Sequence, residues 1–155
     1  MYKLRYAAIF LLIVSATALA QQDPHLGTWR ANIAKSKADP GPMAKSSTTK
    51  FEAAGANGVK AIVDLVNAEG KQFHYEYTAN DDGKDVPVVG SSDFDMVSYK
   101  RTDPNTRVSV WKKGGTVVRM LRSVVSKDGK SRTLEAIGID GQGRAYHDVT
   151  VYDKQ

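Results

Sequence analysis

Leu26-Gly27-Thr28-Trp29-Arg30-Ala31 is the first strand-like stretch of the chain, and it contains one of the two tryptophans. Gly27, Trp29 and Ala31 alternate with polar residues, which is the pattern of a half-buried strand. Burying Trp29 requires later segments to return and cover it. The chain has no cysteine, so this must be achieved without disulfides.

Short strand-like segments separated by turn sequences fill the rest of the chain. Turns such as Asn80-Asp81-Asp82-Gly83 and Asp140-Gly141-Gln142-Gly143 recur about every 8 to 15 residues, which is typical of an antiparallel meander. Ile33 to Lys45 is expected to be a loop, because Pro40 and Pro42 exclude a long helix.

The pattern predicts nine or ten strands and no convincing helix. Val86 to Val89 is expected to be a weak or edge strand because Pro87 interrupts it. Closure of a long meander removes its exposed edges. We therefore predict an all-β fold, a single antiparallel up-and-down β-barrel of about 8–10 strands.

The first 20 residues have the features of a secretory signal peptide. Lys3 and Arg5 precede an apolar run from Ala7 to Val14, and small residues lead to a cleavage site before Gln21. The run is shorter than the ~20 apolar residues of a spanning helix. We expect residues 1–20 to be removed, residues 21–155 to form one domain without a membrane span, and the protein to be secreted or periplasmic.

The basic residues of the sequence do not form the cluster that a nucleic-acid-binding surface requires. The formal charge is +5, and it becomes +3 once Lys3 and Arg5 are removed. The remaining basic residues are spread singly, whereas nucleic-acid binding favours a basic stripe. A chain of this size can bury a core by itself, and we expect a monomer.

Two short motifs resemble the calycin group, which contains lipocalins and fatty-acid-binding proteins. Gly27-Thr28-Trp29 is similar to the Gly-x-Trp opening of that group, and Thr150-Val151-Tyr152-Asp153-Lys154 is similar to the closing strand of fatty-acid-binding proteins. The resemblance implies a calycin-like barrel in which Trp29 packs at the closed end against Lys154. Gly27, Trp29 and Lys154 would then form its structural signature. The run from Asn32 to Lys37 also resembles exported lipocalin-like bacterial proteins of uncharacterised function.

Two departures separate this chain from a fatty-acid carrier. The position of the carboxylate-binding arginine, two residues before the tyrosine, is Thr150 here. The loop from Ile33 to Lys45 is too short and too rich in proline for a two-helix lid. A smaller barrel with an open mouth is therefore expected.

Aromatic and basic side chains on the strands are the candidate ligand-binding residues, because cavities combine apolar walls with a few polar groups. Pattern alone leaves open whether these residues line a cavity or fill a solid core. The candidates are Phe73, Tyr75, Tyr77, Tyr99, Arg119, Arg122 and Tyr152.

The sequence does not decide which face of the last strand points into the barrel. Ala145, His147, Val149 and Val151 form an apolar set, whereas the family resemblance points Thr150, Tyr152 and Lys154 inward, with Arg144, Tyr146 and Asp148. A bulge would reconcile the two patterns.

No catalytic or metal-binding constellation is evident. His25, His74 and His147 lack the ligand spacing of a metal site, and nucleophile motifs and phosphate loops are absent. We expect no metal, no cofactor and no enzymatic activity, although a hydrolase built around His74 or His147 stays open.

The sequence therefore supports an exported barrel that binds a small apolar or amphipathic molecule in the cell envelope. The alternative is a filled barrel that acts through its surface as a protease inhibitor or envelope interaction module. The proline-containing loop from Ile33 to Lys45, with its lysines, motivates that alternative.

Overall fold

The structure, a computed structural model, describes residues 23–155 as ten antiparallel strands in one sheet. The predicted signal peptide at residues 1–20 lies outside the described residues. The strands are β1 (Gly27–Ala31), β2 (Ser46–Ala54), β3 (Gly58–Val66), β4 (Gln72–Asn80), β5 (Asp82–Pro87), β6 (Met96–Asp103), β7 (Thr106–Lys113), β8 (Thr116–Val125), β9 (Ser131–Ile139) and β10 (Ala145–Lys154).

The sheet is an up-and-down meander that curls into a nearly closed barrel. β1 pairs with both β2 and β10, and the other neighbours follow chain order. β4 and β5 are the two terminal strands, and Glu76 and Val89 exchange two 2.9 Å backbone hydrogen bonds across this seam. The predicted all-β barrel and its strand number are confirmed. The edge strand is present but begins earlier than predicted, because Asp82 and Gly83 of the predicted turn already belong to β5, which ends at Pro87. A 3-10 turn at Ile33–Lys35 is the one helical element among residues 23–155.

Trp29 closes one end of the barrel, which we call the closed end. Its ring is fully buried, and its Nε1 donates a 2.7 Å hydrogen bond to the carbonyl of His25. Trp29 pairs directly with Lys154, whose Nζ lies 5.0 Å from the ring centroid. Gly27 has a φ of +112°, and a Cβ there would lie 3.1 Å from Lys154 Cε. The resemblance-based pairing of Trp29 with Lys154 is thus present in the fold.

The register settles the facing of the last strand without a bulge. β10 and β9 pair regularly from Ala145 opposite Ile139 to Asp153 opposite Ser131. Tyr152 is buried on the inner face, and Thr150 and Asp148 line the interior. Val149 and Val151 alternate with these residues, point outward and are half-buried. The chain after β1 runs along the edge of β10, where Asn32 and Lys37 form backbone hydrogen bonds with Val151 and Val149.

The loop between β1 and β2, which we call the mouth loop, runs along β10 at the end of the barrel opposite Trp29. Lys37 forms a two-bond bridge with Val149, and the His147 amide donates to the Asp39 carbonyl at 2.6 Å. Ala38, Pro42, Met43 and Ala44 then form part of the cavity wall. The short proline-containing loop thus forms one side of the cavity, and its helical part is limited to the 3-10 turn at Ile33–Lys35.

No helix within residues 23–155 has the length and hydropathy needed to cross a membrane.

Candidate functional site

The barrel interior holds a cavity of about 160 Å³ between the mouth loop and the closed end. Ligand sites usually measure roughly 300–1,000 Å³, whereas a cavity of about 150 Å³ holds benzene. The interior is thus largely filled by side chains and retains space for a small molecule. Its walls combine aromatic rings with hydroxyl groups and two arginines, chiefly Ser47, Thr49, Phe51, Tyr75, Tyr77, Tyr99, Trp111, Arg119, Arg132, Thr150 and Tyr152.

Arg132, near the start of β9, is the most deeply buried charged group of the cavity. Only 2% of the residue is exposed, and its Cζ lies 4.3 Å from the Tyr152 ring centroid and 5.1 Å from that of Phe51. The Trp29 ring centroid is 5.7 Å away. Its Nε and Nη2 atoms are buried without a hydrogen-bond partner, and no carboxylate among residues 23–155 forms a salt bridge with it. Aromatic faces thus hold a cation that lacks an anion.

Arg119, on β8, has a similar environment nearer the mouth. Its Cζ lies 4.6 Å from the Trp111 ring centroid and 4.7 Å from that of Phe94. Its Nε and Nη2 are also buried and unpartnered, and within the described chain it forms no salt bridge. An unpaired buried cation is costly, because desolvation is not offset by an anion.

Asp148 is the carboxylate that lines the cavity, at its mouth. Its Oδ1 accepts a 3.2 Å hydrogen bond from the Asp39 amide, which ties it to the mouth loop. Burial raises the pKa of Asp148, while the amide of Asp39 and the charges of His147 and Arg119 oppose this rise.

The tyrosines of the cavity are neutral donors and acceptors. Burial raises the pKa of Tyr75, Tyr77 and Tyr99 above the usual value. The Tyr152 hydroxyl lies 3.1 Å from Ser47 Oγ. These hydroxyls can orient a polar ligand group, but their raised pKa values argue against tyrosinate chemistry near neutral pH.

A second group of arginines, at the closed end, is fully paired. We call Asp23, Asp81, Arg101 and Arg107 the closed-end cluster. Arg107 donates to Asp81 through Nε and Nη2, both at 2.9 Å, and also contacts Asp23. Arg101 donates to Asp23 at 2.7 Å and to Asp81 at 3.0 Å.

The pairing shifts the pKa values of the closed-end cluster and its neighbour. Burial alone would raise the pKa of Asp23, but hydrogen bonds from His25 and Arg107 hold it far below its usual value. Arg107 and Arg101 likewise outweigh burial and lower the pKa of Asp81. Burial lowers the pKa of His25, as does the Arg107 charge, against the opposing effect of Asp23. In this cluster each guanidinium is paired with both carboxylates.

The structure brings five of the predicted ligand-binding residues together around the cavity: Tyr75, Tyr77, Tyr99, Arg119 and Tyr152. Phe73 pairs with Leu65 near the mouth and lies under Lys71, outside the cavity lining. Arg122 is a wrong prediction, because it is exposed and alternates out of phase with Arg119 on β8. Its backbone partner on β9 is Glu135.

Arg132 is not among the candidates that the sequence indicates, because it lies at the boundary between the turn after Lys127 and the following strand. With β9 beginning at Ser131, Arg132 shares the inner face with Leu134 and Ala136. Arg132 also lies directly opposite the buried Tyr152 in the pairing of β9 with β10, which places both side chains on the same face of the sheet. Arg107 was also missed, although its alternation with Ser109 and Trp111 on β7 indicates an inward side chain.

The histidines lie apart from one another. His25 is buried at the closed end with both ring nitrogens unpartnered. His74 pairs with Asp64 at 2.7 Å and His147 with Glu135 at 2.9 Å, both on the exposed surface. Among residues 23–155 there is no group of three or more His, Asp or Glu side chains placed to hold a metal ion.

Comparison with known proteins identifies structural neighbours only. A scan against protein-family models found no match, and a search of curated proteins found no relative. The wild-type fluorescent protein UnaG is similar with a TM-score of 0.53 and 12% identity over 84% of this chain and 97% of UnaG. A mutant of UnaG gives 0.55 with 10% identity over 85% of this chain and 96% of its own.

A zebrafish ileal bile acid-binding protein complexed with cholic acid has a TM-score of 0.47 with 10% identity, over 85% of this chain and 99% of its own. At such identities the similarity to UnaG establishes the fold. The chain shares with UnaG the fold of an antiparallel up-and-down β-barrel.

Proposed function

We propose that this chain is an exported binding protein whose cavity takes a small amphipathic molecule with an anionic group. The single observation that carries this proposal is Arg132, a buried cation without a carboxylate partner in the described chain. An arginine presents a planar fork of donors that matches a carboxylate, and it stays charged at any physiological pH. The apolar part of the ligand would lie against the aromatic walls.

The size of the cavity limits the ligand. A space of about 160 Å³ suits a molecule of few heavy atoms, with water filling the remainder. Small ligands gain at most ~1.5 kcal/mol per heavy atom, and usually far less. Dissociation constants from roughly 10 μM to 1 mM are therefore expected for a simple probe.

Titration calorimetry with hexanoate and hexanamide tests the proposal. Both probes have the same number of heavy atoms and the same apolar chain, but only hexanoate carries a charge. We expect hexanoate to bind at least about tenfold more tightly, because only a carboxylate compensates Arg132. Equal affinities, or no binding of either probe, would contradict an anion site in the cavity.

Arg132→Met is the matching variant, with Arg122→Met as its control. Methionine keeps much of the aliphatic packing against Phe51 and Tyr152 while removing the charge. Arg122 lies on the outer face, so its replacement changes the net charge equally without touching the cavity. The preference for hexanoate is expected to disappear in the first variant and to persist in the second.

Export is supported by the sequence of residues 1–20, with its basic start, apolar run and small residues before Gln21. In a bacterial host, the intact mass of the periplasmic protein is expected to correspond to residues 21–155. Retention of residues 1–20 on the purified protein would contradict this part of the proposal.

A second candidate function acts through the outer surface, as an envelope interaction module. Val117, Met120, Ile137 and Ile139 are exposed on the outer faces of β8 and β9, and Met120 pairs with Ile137. Exposed apolar groups of this kind often mark contact surfaces. If a partner protein binds the unmodified chain and Arg132→Met but no longer binds Ile137→Lys, this function is favoured over ligand binding.

A further inference from the structure

We infer that the ligand carries two anionic groups joined by a short apolar chain, as a dicarboxylate does. This inference rests on the proposed function, and it deepens that function by assigning the second cation of the cavity, Arg119. Three observations carry it: the two guanidinium groups lie at different levels, each has its own aromatic cradle, and each lacks an anion.

The register places the two arginines at different levels of the interior. On β8 and β9, Arg119 pairs with Gly138, whereas Arg132 pairs with Val125. Six positions along β8 separate these two pairs, and the mouth lies at the Arg119 end. Both side chains line the same cavity. A ligand group bound by one guanidinium therefore leaves the other available for a second group.

Each guanidinium has its own aromatic cradle. Arg119 lies on Phe94 and Trp111, whereas Arg132 lies on Tyr152, Phe51 and Trp29, and no ring is shared. A rigid cradle fixes the position of each cation, because the stacked guanidinium cannot leave its rings without losing contact area. Two fixed cations define a preferred distance between the anionic groups of a ligand.

The aromatic space between the two cations suits an apolar linker. The Tyr77 ring packs edge-on against Trp111 at 5.3 Å between centroids and lies 5.6 Å from Tyr99. All three rings line the cavity. Methylene groups would lie against their faces and bury apolar surface there.

Comparison with the closed-end cluster shows which kind of partner Arg119 and Arg132 lack, namely a carboxylate. Arg107, as deeply buried as Arg132, is held by two carboxylates, Asp23 and Asp81. Water can satisfy unpaired N–H groups in a cavity, but it leaves the buried charge uncompensated. Two carboxylate groups of a ligand would give Arg119 and Arg132 the kind of partner that Arg107 already has.

Asp148 opposes a second carboxylate only in part. It lines the mouth side of the cavity but forms no salt bridge with Arg119, and its Oδ1 is engaged by the Asp39 amide. Its charge would weaken the attraction of Arg119 for a ligand carboxylate. Asp148→Asn is therefore expected to increase the affinity for a dicarboxylate more than that for a monocarboxylate.

The test is a chain-length series titrated into the unmodified protein. Glutarate, adipate, pimelate, suberate and azelate are compared with monocarboxylates of the same carbon number. We expect the best dicarboxylate to bind at least about tenfold more tightly than its monocarboxylate counterpart. We also expect an optimum within the series, because two fixed cations favour one length.

The outcomes separate this inference from the proposed function. Hexanoate preferred over hexanamide, but with no dicarboxylate advantage and no length optimum, would overturn the two-anion inference and leave the proposed function standing. Absence of binding by all acids would overturn both. A dicarboxylate advantage that grows steadily with length would indicate apolar burial alone and would also overturn the inference.

Arg119→Met gives an independent measure of the upper site. It is expected to reduce the affinity of the best dicarboxylate about tenfold, to the level of the matching monocarboxylate. Arg122→Met on the outer face of the same strand is the charge-matched control and is expected to leave the length optimum unchanged. An unchanged dicarboxylate advantage in Arg119→Met would contradict a role for Arg119.

Discussion

Arg107 at the closed end and Arg132 in the cavity are each only 2% exposed, but their partners differ. Arg107 is held by the carboxylates of Asp23 and Asp81, whereas Arg132 contacts aromatic rings and has two unpartnered nitrogens. The difference separates two uses of a buried cation in one barrel. The first joins chain segments in the folded protein, and the second leaves binding capacity facing a cavity.

The closed-end cluster acts on stability because it connects distant parts of the chain. Arg107 on β7 reaches Asp23 before β1 and Asp81 between β4 and β5. Without Arg107, Asp23 and Asp81 would share Arg101 alone within the cluster, so two largely buried carboxylates would lose half of their compensating charge. Removing Arg132, in contrast, eliminates a charge that has no counter-ion among the described residues.

The largest expected effect comes from exchanging these arginines for methionine. Arg107→Met is expected to lower the free energy of unfolding by ~3–5 kcal/mol, whereas Arg132→Met should change it by less than ~1 kcal/mol or increase it. Urea unfolding followed by tryptophan fluorescence measures both. An equal loss in the two variants would mean that Arg132 also has a structural partner and would remove the distinction.

Trp29→Ala tests whether the ring is the plug of the closed end. Loss of this fully buried side chain is expected to cost ~3–5 kcal/mol of unfolding free energy, by lost burial and by the cavity left behind. Trp29→Phe keeps part of the packing and should cost less. A loss below about 1 kcal/mol in the alanine variant would show that the closed-end cluster suffices without the plug.

The pH dependence of stability distinguishes the two regions further. Burial lowers the pKa of His25 below 6.5 in the folded state, so the unfolded chain binds a proton there that the folded chain resists. Stability should therefore fall as the pH decreases below about 6.5, by up to ~1.4 kcal/mol per pH unit for this group. The depressed pKa values of Asp23 and Asp81 add a further loss as the pH falls below about 4.

Unfolding midpoints between pH 8 and pH 3 measure this effect, with His25→Gln as the comparison. The variant should lose the decrease that begins near pH 6.5 and keep the acidic one, because the carboxylates are unchanged. A wild-type profile that is flat from pH 7 to pH 5 would contradict a neutral, buried His25.

Tyr152→Phe is expected to give the smallest effect. It removes the 3.1 Å contact between the tyrosine hydroxyl and Ser47, which is worth ~1 kcal/mol. Cavity water can replace part of this hydrogen bond, so the loss should stay near or below that value. Thermal unfolding measures it, and a loss of several kcal/mol would indicate that this wall is as rigidly packed as the closed end.

The candidate site was only partly predictable, and the reasons are physical. Alternation groups Phe73, Tyr75 and Tyr77 on one face of β4, because successive side chains of a strand alternate between faces. Only the closed barrel brings Tyr75 and Tyr77 together with Tyr99 and Arg119 around one cavity, and it leaves Phe73 outside the lining. Arg122 was misplaced because nothing in the local pattern chooses which of two nearby arginines points inward. Arg132 was missed because strand boundaries are weakly encoded by sequence.

The sequence by itself determined the meander and the barrel class, since alternation and turn chemistry act over a few residues. The pairing of Trp29 with Lys154 was implied by the resemblance to the calycin group, and the register of β1 with β10 contains it. Only the tertiary structure decided the facing of β10, because its pairing register with β1 and β9 fixes which of its two faces, both partly apolar, points into the barrel. Tertiary structure also decided which arginines are paired. Arg107 and Asp23 lie 84 positions apart, and no local pattern records that they meet or that Arg119 and Arg132 meet no carboxylate among residues 23–155.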